Sequence, residues 1–262
     1  MVRCFEDEDV THVEGRIDPI ADIDTIETEL MLADLDSLEK RVDNLAKKAK
    51  GNDKDAKEAL DLVNRALVLL RDGKPARLLQ RSKEEEKAFR MLALLTAIPV
   101  LYVGNVNEAS AATGDALSQK IEERAKAEGA GCVVISAKIE AEIAVLSREE
   151  REEFLGALGL AEPGLDRLIR AGYALLDLVT FFTAGPKEAR AWTVKRGARA
   201  PQAAGVIHTD FERGFIRAET IAYPDYVQYG GETGAKDAGK MRLEGKEYVV
   251  ADGDVMHFRF AT

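Results

Sequence analysis

The chain has 262 residues, a formal charge of −10 and 46% apolar against 32% charged residues, with a pI near 5.0 and a mean hydropathy of −0.21. This balance supports one or two globular domains with real cores and excludes wholesale disorder. No stretch reaches 18 consecutive apolar residues, the start turns acidic at once, and the chain has only two cysteines, Cys4 and Cys132. A membrane span, a signal peptide and a disulfide framework are therefore not expected, and reduced thiols in a cytoplasmic protein are.

The charge is uneven. Residues 1–36 carry twelve acidic and two basic side chains, whereas 186–217 carry seven basic and three acidic ones. The whole is too acidic for a general nucleic-acid binder, but the basic excess at 186–217 is compatible with a local basic surface near the C-terminus.

In chain order, Val2-Arg3-Cys4-Phe5 reads as a short strand, followed by the acidic loop Glu6-Asp7-Glu8-Asp9. Residues 22–50 predict a long helix, because Met31, Leu35, Leu38, Val42 and Leu45 recur at steps of four and three. After the break at Gly51-Asn52-Asp53, Leu60, Val63, Leu67 and Leu70 repeat the seam, so the pair predicts an antiparallel helical hairpin. Lys47, Lys48, Lys50, Lys54 and Lys57 sit near its tip and read first as a solvated end. A helical stretch at 83–95 leads into the strand Val100–Val103, then helix 114–128, strand Cys132–Ile135 and helices near 139–159 and 164–177. This alternation predicts a doubly wound α/β layer, whose ligands sit at the carboxyl ends of the strands. From Val179 the texture changes to short β-branched and aromatic runs, at 179–183, 190–194, 215–221, 247–250 and 255–260, separated by glycine-rich turns. These predict a separate α+β module with a mixed sheet.

The strongest chemical signal is a pair of turns. Asn105-Val106-Asn107-Glu108 follows one apolar strand, and Ser136-Ala137-Lys138 follows the next. Their spacing matches the Asn-Lys-x-Asp and Ser-Ala-Lys elements with which P-loop GTPases read guanine. Here Glu108 takes the Asp place and Val106 the Lys place. A carboxylate longer by one methylene and a residue without an ammonium chain predict weak guanine selectivity and tolerance of adenine. The competing reading of Asn-x-x-Glu alone is an ordinary helix cap.

Phosphate chemistry needs Gly-x-x-x-x-Gly-Lys-Ser/Thr between strand and helix. The near-match at Gly234–Met241 ends on Met241, which cannot ligate Mg²⁺, and it follows no buried strand. His12, His208 and His257 lack ligand spacing, so no metal site is expected. His208-Thr209-Asp210-Phe211-Glu212-Arg213 reads as a capped turn. Lys187, Arg190, Lys195, Arg196, Arg199, Arg213 and Arg217, interleaved with Trp192, Phe211 and Phe215, read equally well as an RNA face or as charges around an aromatic core.

Taken together these segments resemble the YchF/Obg-like ATPase family of the P-loop GTPase superfamily. The resemblance is carried by Val2–Asp7, His12–Pro19, Asp22–Leu35, Asn105–Glu108, Leu165–Leu176, Phe181–Gly185, Arg190–Thr193, Ala200–Gly205, Ile207–Ala218 and Asp252–Val255. It implies a G domain (1–21 and 96–178) interrupted by a coiled-coil hairpin (22–95) and followed by a β-grasp TGS domain (179–262). It further implies a ribosome-associated protein that binds ATP in preference to GTP and hydrolyses it with Mg²⁺, with ribosomal RNA touching the hairpin and the basic residues of the last domain. By the same resemblance Asn105 would contact the adenine edge, Val106 would lie against the ring, Glu108 would hold the specificity position, and Ser136-Ala137-Lys138 would form a second wall. The family's phosphate loop and switch regions would precede Met1, so no catalytic residue is assigned and these residues alone are expected to be inactive. The alternative is a non-enzymatic ribosome or RNA adaptor built from the hairpin and the last domain.

Overall fold

The computed structural model describes residues 1–6, 17–51, 53–186 and 188–261. The acidic run from Asp7, His12 and the segment up to Arg16 lie outside the described residues. The chain divides into two compact units, Met1–Ala171 and Gly172–Thr262.

In the first unit, three parallel strands, β1 (Val2–Arg3), β2 (Leu101–Asn105) and β3 (Gly131–Ile135), lie in that order. The long excursion between β1 and β2 begins with α1 (Pro19–Lys50). Asp18 caps it by accepting from the Ala21 amide at 3.1 Å, and Pro19 supplies the fixed φ of the first turn, so the helix starts three residues before the apolar seam suggests. Gly51 ends it, and Asp53 caps α2 (Lys54–Arg71). Leu38, Leu62, Val63, Leu67 and Leu70 form a buried seam, with Met31, Leu35, Val42 and Leu45 packed against it. The stretch expected to be helical over 83–95 is shorter: α3 (Glu85–Met91) gives way to a 3-10 turn at Leu95–Ala97. Asp34, 2% exposed on α1, pins that turn by accepting from the Leu95 and Thr96 amides, each at 2.8 Å, and from the Thr96 hydroxyl at 2.6 Å. The carboxylate thereby fixes the entry into β2.

After β2, α4 (Ala116–Glu128) opens with a capping box of Asp115 and Ser118 and closes on the left-handed Gly129. Ile23 of α1 and Ile121 and Ala125 of α4 cover one face of the sheet with Tyr102 and Val106. The Tyr102 hydroxyl donates to Glu27 and Glu128, both at 2.8 Å, and Arg77 bridges the same two carboxylates. Val103, Val133 and Ile135 face the other way, against Leu168 and Ala171 of α7 (Gly164–Leu175). Helices on both faces follow from strands that are apolar on both faces. The helix expected at 139–159 is two helices, α5 (Ala137–Ile143) and α6 (Arg148–Ala157), because Ser147 and Glu150 form a capping box that starts a new helix.

The second unit holds β4 (Leu178–Ala184), β5 (Ala189–Lys195), β6 (Phe215–Ala222), β7 (Arg242–Glu244) and β8 (Asp254–Phe260), in the order β5-β4-β8-β6-β7. The β4–β8 pair is parallel and the others are antiparallel. Helices α8 (Ala200–Ile207), α9 (Thr209–Arg213), α10 (Tyr223–Gln228) and α11 (Glu232–Asp237) connect them. Ala200, Ala203 and Ala204 of α8 pack on Val179, Phe181, Val194, Ala218, Met256 and Phe258. The strand expected at 247–250 is absent. Val249 makes a single bridge to Arg199, and Val250 and Tyr248 are apolar because they pack on this core, not because they join the ladder. Gly234 lies inside α11, where a Cβ would come within 1.9 Å of the Tyr229 carbonyl, so the Gly234–Met241 stretch is not a strand–loop–helix turn.

Candidate functional site

Parallel strands β2 and β3 end side by side, Asn105 opposite Ile135, and deliver the two predicted turns to one edge of the layer. The main chain of the first turn is held from both sides: Cys4 N–H donates to Asn105 O at 2.8 Å and Val106 N–H to Ile135 O at 2.9 Å. The Asn105 side chain crosses to the second turn, its Oδ1 accepting from the Ala137 N–H at 2.9 Å at the start of α5. Its NH₂ group has no partner among the described residues. Ser136 is 3% exposed and its Oγ is buried with no hydrogen-bond partner among the described residues.

Glu108 and Lys138 meet across the mouth of the two turns as an exposed ion pair. Its hydrogen bond to Lys138 holds the Glu108 carboxyl below the usual carboxylate range, so the group is ionised and already engaged by an ammonium. Asn107 turns away and caps a short 3-10 turn, accepting from the Ser110 amide at 3.0 Å. Val106 corrects the expectation drawn from the sequence. At 1% exposure it packs with Val2, Cys4, Ile23 and Ile121, and its side chain offers no surface for a ring. Asn105, Glu108, Ser136, Ala137 and Lys138 are thus gathered at one place, and Val106 and Asn107 serve the structure beneath it.

One residue was not anticipated. Glu140, two residues beyond Lys138, accepts from the amides of Gly164 at 2.7 Å and Leu165 at 3.1 Å, capping α7 from α5. Gly164 has no room for a Cβ, which would fall 2.8 Å from both Glu140 Oε1 and Ile135 Cγ2. The sequence signal was a helix start at Pro163-Gly164 without a local capping side chain.

The basic set of the second unit is not one face. Lys187 lies outside the described residues. Arg190 stacks over Trp192 at 4.1 Å, on the core side of β5, while Lys195 lies on the opposite side and donates to Leu176 O at 2.6 Å. Arg196 pairs with Asp177 at 3.2 Å and Arg199 with Glu247 at 2.6 Å. Arg217 on β6 is three strands from β5, about 14 Å at the usual strand spacing, and stands 3.7 Å from Glu219. Arg213 is exposed on α9. Alternation along β5 and in-chain carboxylates therefore divide what the sequence grouped.

The fold is an α/β layer of the GTPase kind joined to a unit with a mixed sheet. A family model for the YchF GTPase C-terminal region, described as a protein of unknown function (DUF933), matches residues 178–261. The "Ribosome-binding ATPase YchF" of Haemophilus influenzae is 56% identical over 260 residues, covering 99% of this chain and 71% of the relative. The protein of the same name from Bacillus subtilis is 53% identical over 262 residues, covering 99% and 72%. The solved Schizosaccharomyces pombe YchF GTPase superposes with a TM-score of 0.82 at 34% identity, over 98% of this chain and 70% of that one. The chain belongs to the YchF family. A GTP-binding protein from Pyrococcus horikoshii, at 16% identity and a TM-score of 0.58, shares the fold. Among the described residues no helix is long and apolar enough to cross a membrane.

Proposed function

We propose that this chain supplies the base-recognition half of a ribosome-associated nucleotide site that prefers adenine to guanine. The observation that carries the reading is the clamp at the strand ends, with Asn105 tied to Ala137 and Glu108 to Lys138. Guanine presents N–H donors that want a free carboxylate. Here Lys138 competes for Glu108, and a guanine would have to displace it. Adenine makes no such demand, and the unpartnered NH₂ of Asn105 is placed to donate to an acceptor on the purine edge.

The relatives' names supply the ribosome. The paired helices within 22–95, read as a coiled-coil hairpin, and the module at 179–262, read as a β-grasp TGS domain, are the parts we assign to that contact in a cytoplasmic protein. Arg190, Lys195, Arg196, Arg199, Arg213 and Arg217 supply separate basic points, not one surface. The partial G domain at 1–21 and 96–178 would hold the base of ATP. Mg²⁺ would travel with the phosphates, and no residue named here is assigned to it. The near-match to a phosphate loop at 234–241 lies in and after a short helix, so these residues are expected to bind the base without turnover.

Amide-resolved NMR titration with adenosine, guanosine and Mg-ATP tests this. Adenosine and Mg-ATP should shift the amides of Asn105, Ala137 and Lys138 at millimolar concentration, guanosine less. Perturbations confined elsewhere, or stronger for guanosine, would remove the base site. Measurable ATP hydrolysis would overturn the expected inactivity.

A further inference from the structure

The two outer strands of the second sheet differ. β7 has three residues, whereas β5 has seven and, among the described residues, pairs on one side only, with β4. Hydrogen bonds at both ends of that pair fix which way β5 points. Gly185 N–H donates to Glu188 O at 2.9 Å, and Arg196 N–H donates to Asp177 O at 2.8 Å. Between them, antiparallel alternation turns the amides and carbonyls of residues 190, 192 and 194 toward β4. Those of Ala189, Ala191, Thr193 and Lys195 therefore face the open side. Gly253 N–H donates to Thr180 O at 2.8 Å on the far side of β4, which agrees with this alternation.

Proteins blunt such edges with bulges, proline, shortness or charged side chains; β5 has only the last, Arg190 and Lys195, which repel a basic strand but not an acidic one. The outward-facing residues are small at three of four positions, and all four are exposed. The edge is also stiff. Trp192 is fixed by its Nε1–H to Thr183 Oγ1 at 2.9 Å and by the Arg190 guanidinium stacked 4.1 Å over its ring.

We propose that β5 is a docking edge that adds an extended acidic segment of a partner protein as a sixth strand. Charge selects the occupant. Ala189–Lys195 carries two positive side chains, Arg190 and Lys195, and no negative one. A second copy of β5 would bring four positive charges into one ribbon with nothing to offset them. An acidic strand places carboxylates opposite both, and main-chain hydrogen bonds supply the remaining affinity. This proposal does not depend on the nucleotide reading.

The test uses the whole chain and a fluorescent peptide with Glu at both odd and even positions, so that carboxylates face both Arg190 and Lys195, with the same peptide carrying Lys for Glu as control. The acidic peptide should bind, the basic one should not, and the amides of Ala191 and Thr193 should gain hydrogen-exchange protection. Ala191→Pro removes an outward N–H without touching the β4 ladder, a position proline tolerates on an edge strand. It should weaken binding at least tenfold with an unchanged circular dichroism spectrum. Should that variant misfold, Lys195→Glu serves instead and should lower affinity for the acidic peptide while raising it for the basic one. Equal binding to a soundly folded Ala191→Pro variant, no response to Lys195→Glu, no binding of the acidic peptide, or equal protection of the same amides by a single-stranded RNA of matched charge would overturn the proposal.

Discussion

On the function proposed above Asn105 has two separable tasks, and two substitutions part them. Its Oδ1 satisfies the first amide of α5, and its NH₂ is the group available to a bound base. Asn105→Ala removes both. The Ala137 amide is only half-buried, so water recovers part of the lost bond, and the cost to the first unit falls near the low end of the range for an unsatisfied donor, about 1 kcal/mol. For a unit of this size that lowers the melting temperature by roughly 2–4 °C. Asn105→Asp keeps an acceptor at the same place, and a carboxylate at a helix start is favourable, so stability should change by less than about 0.5 kcal/mol. It has no donor, however, and base affinity should fall by roughly tenfold, the worth of one hydrogen bond of about 1.4 kcal/mol. Thermal unfolding and adenosine titration of the three proteins measure both quantities. Asn105→Asp with unaltered adenosine affinity would refute the donor role. Asn105→Ala with unaltered stability would refute the clamp.

Two further expectations concern the framework. Asp34→Ala strands the buried Thr96 amide and hydroxyl together with the Leu95 amide, and urea unfolding should show a loss of about 2–4 kcal/mol. Burial, and then the hydrogen bond its hydroxyl donates to Asp254 at 2.7 Å, push Tyr248 from 10.0 up to about 12. The folded state therefore favours the neutral phenol. That contribution is complete below pH 10 and is lost as pH rises toward 12. Tyr248→Phe should remove this alkaline fall in the unfolding midpoint while costing about 1–2 kcal/mol at neutral pH.

Much of the fold could be read from periodicity because burial here follows single elements. The seam from Met31 to Leu70 lies in two helices whose packing partners are each other, so spacing alone located it. The caps were equally local: Asp18, Asp53, Asp115 and Ser147 each accept from amides two or three residues on. Two of these local caps, Asp18 and Ser147, set helix bounds that apolar spacing alone misses; the other misreadings arose where burial came from distant partners. Tyr248 and Val250 have the texture of a strand because they complete a core assembled by α8 and β8. The short strand β7 contributes Arg242, Leu243 and Glu244, whose exposed, mostly charged sequence carries no alternation strong enough to announce it.

The site shows the same limit in sharper form. That Asn105, Ser136 and Lys138 come together was legible because each turn follows a strand end directly. Which neighbours point outward is a matter of strand parity. Tyr102 lies four residues, two full periods, before Val106 on the same side, and both belong to the cluster with Ile23 and Ile121. The period of two was therefore sufficient to place Val106 in the core, and the family analogy that set it against a base ignored that period. With Val106 inside, the purine preference proposed above would rest on the Glu108 carboxylate held by Lys138. That pairing joins residues thirty positions apart, and only the parallel register of β2 with β3 brings them within reach.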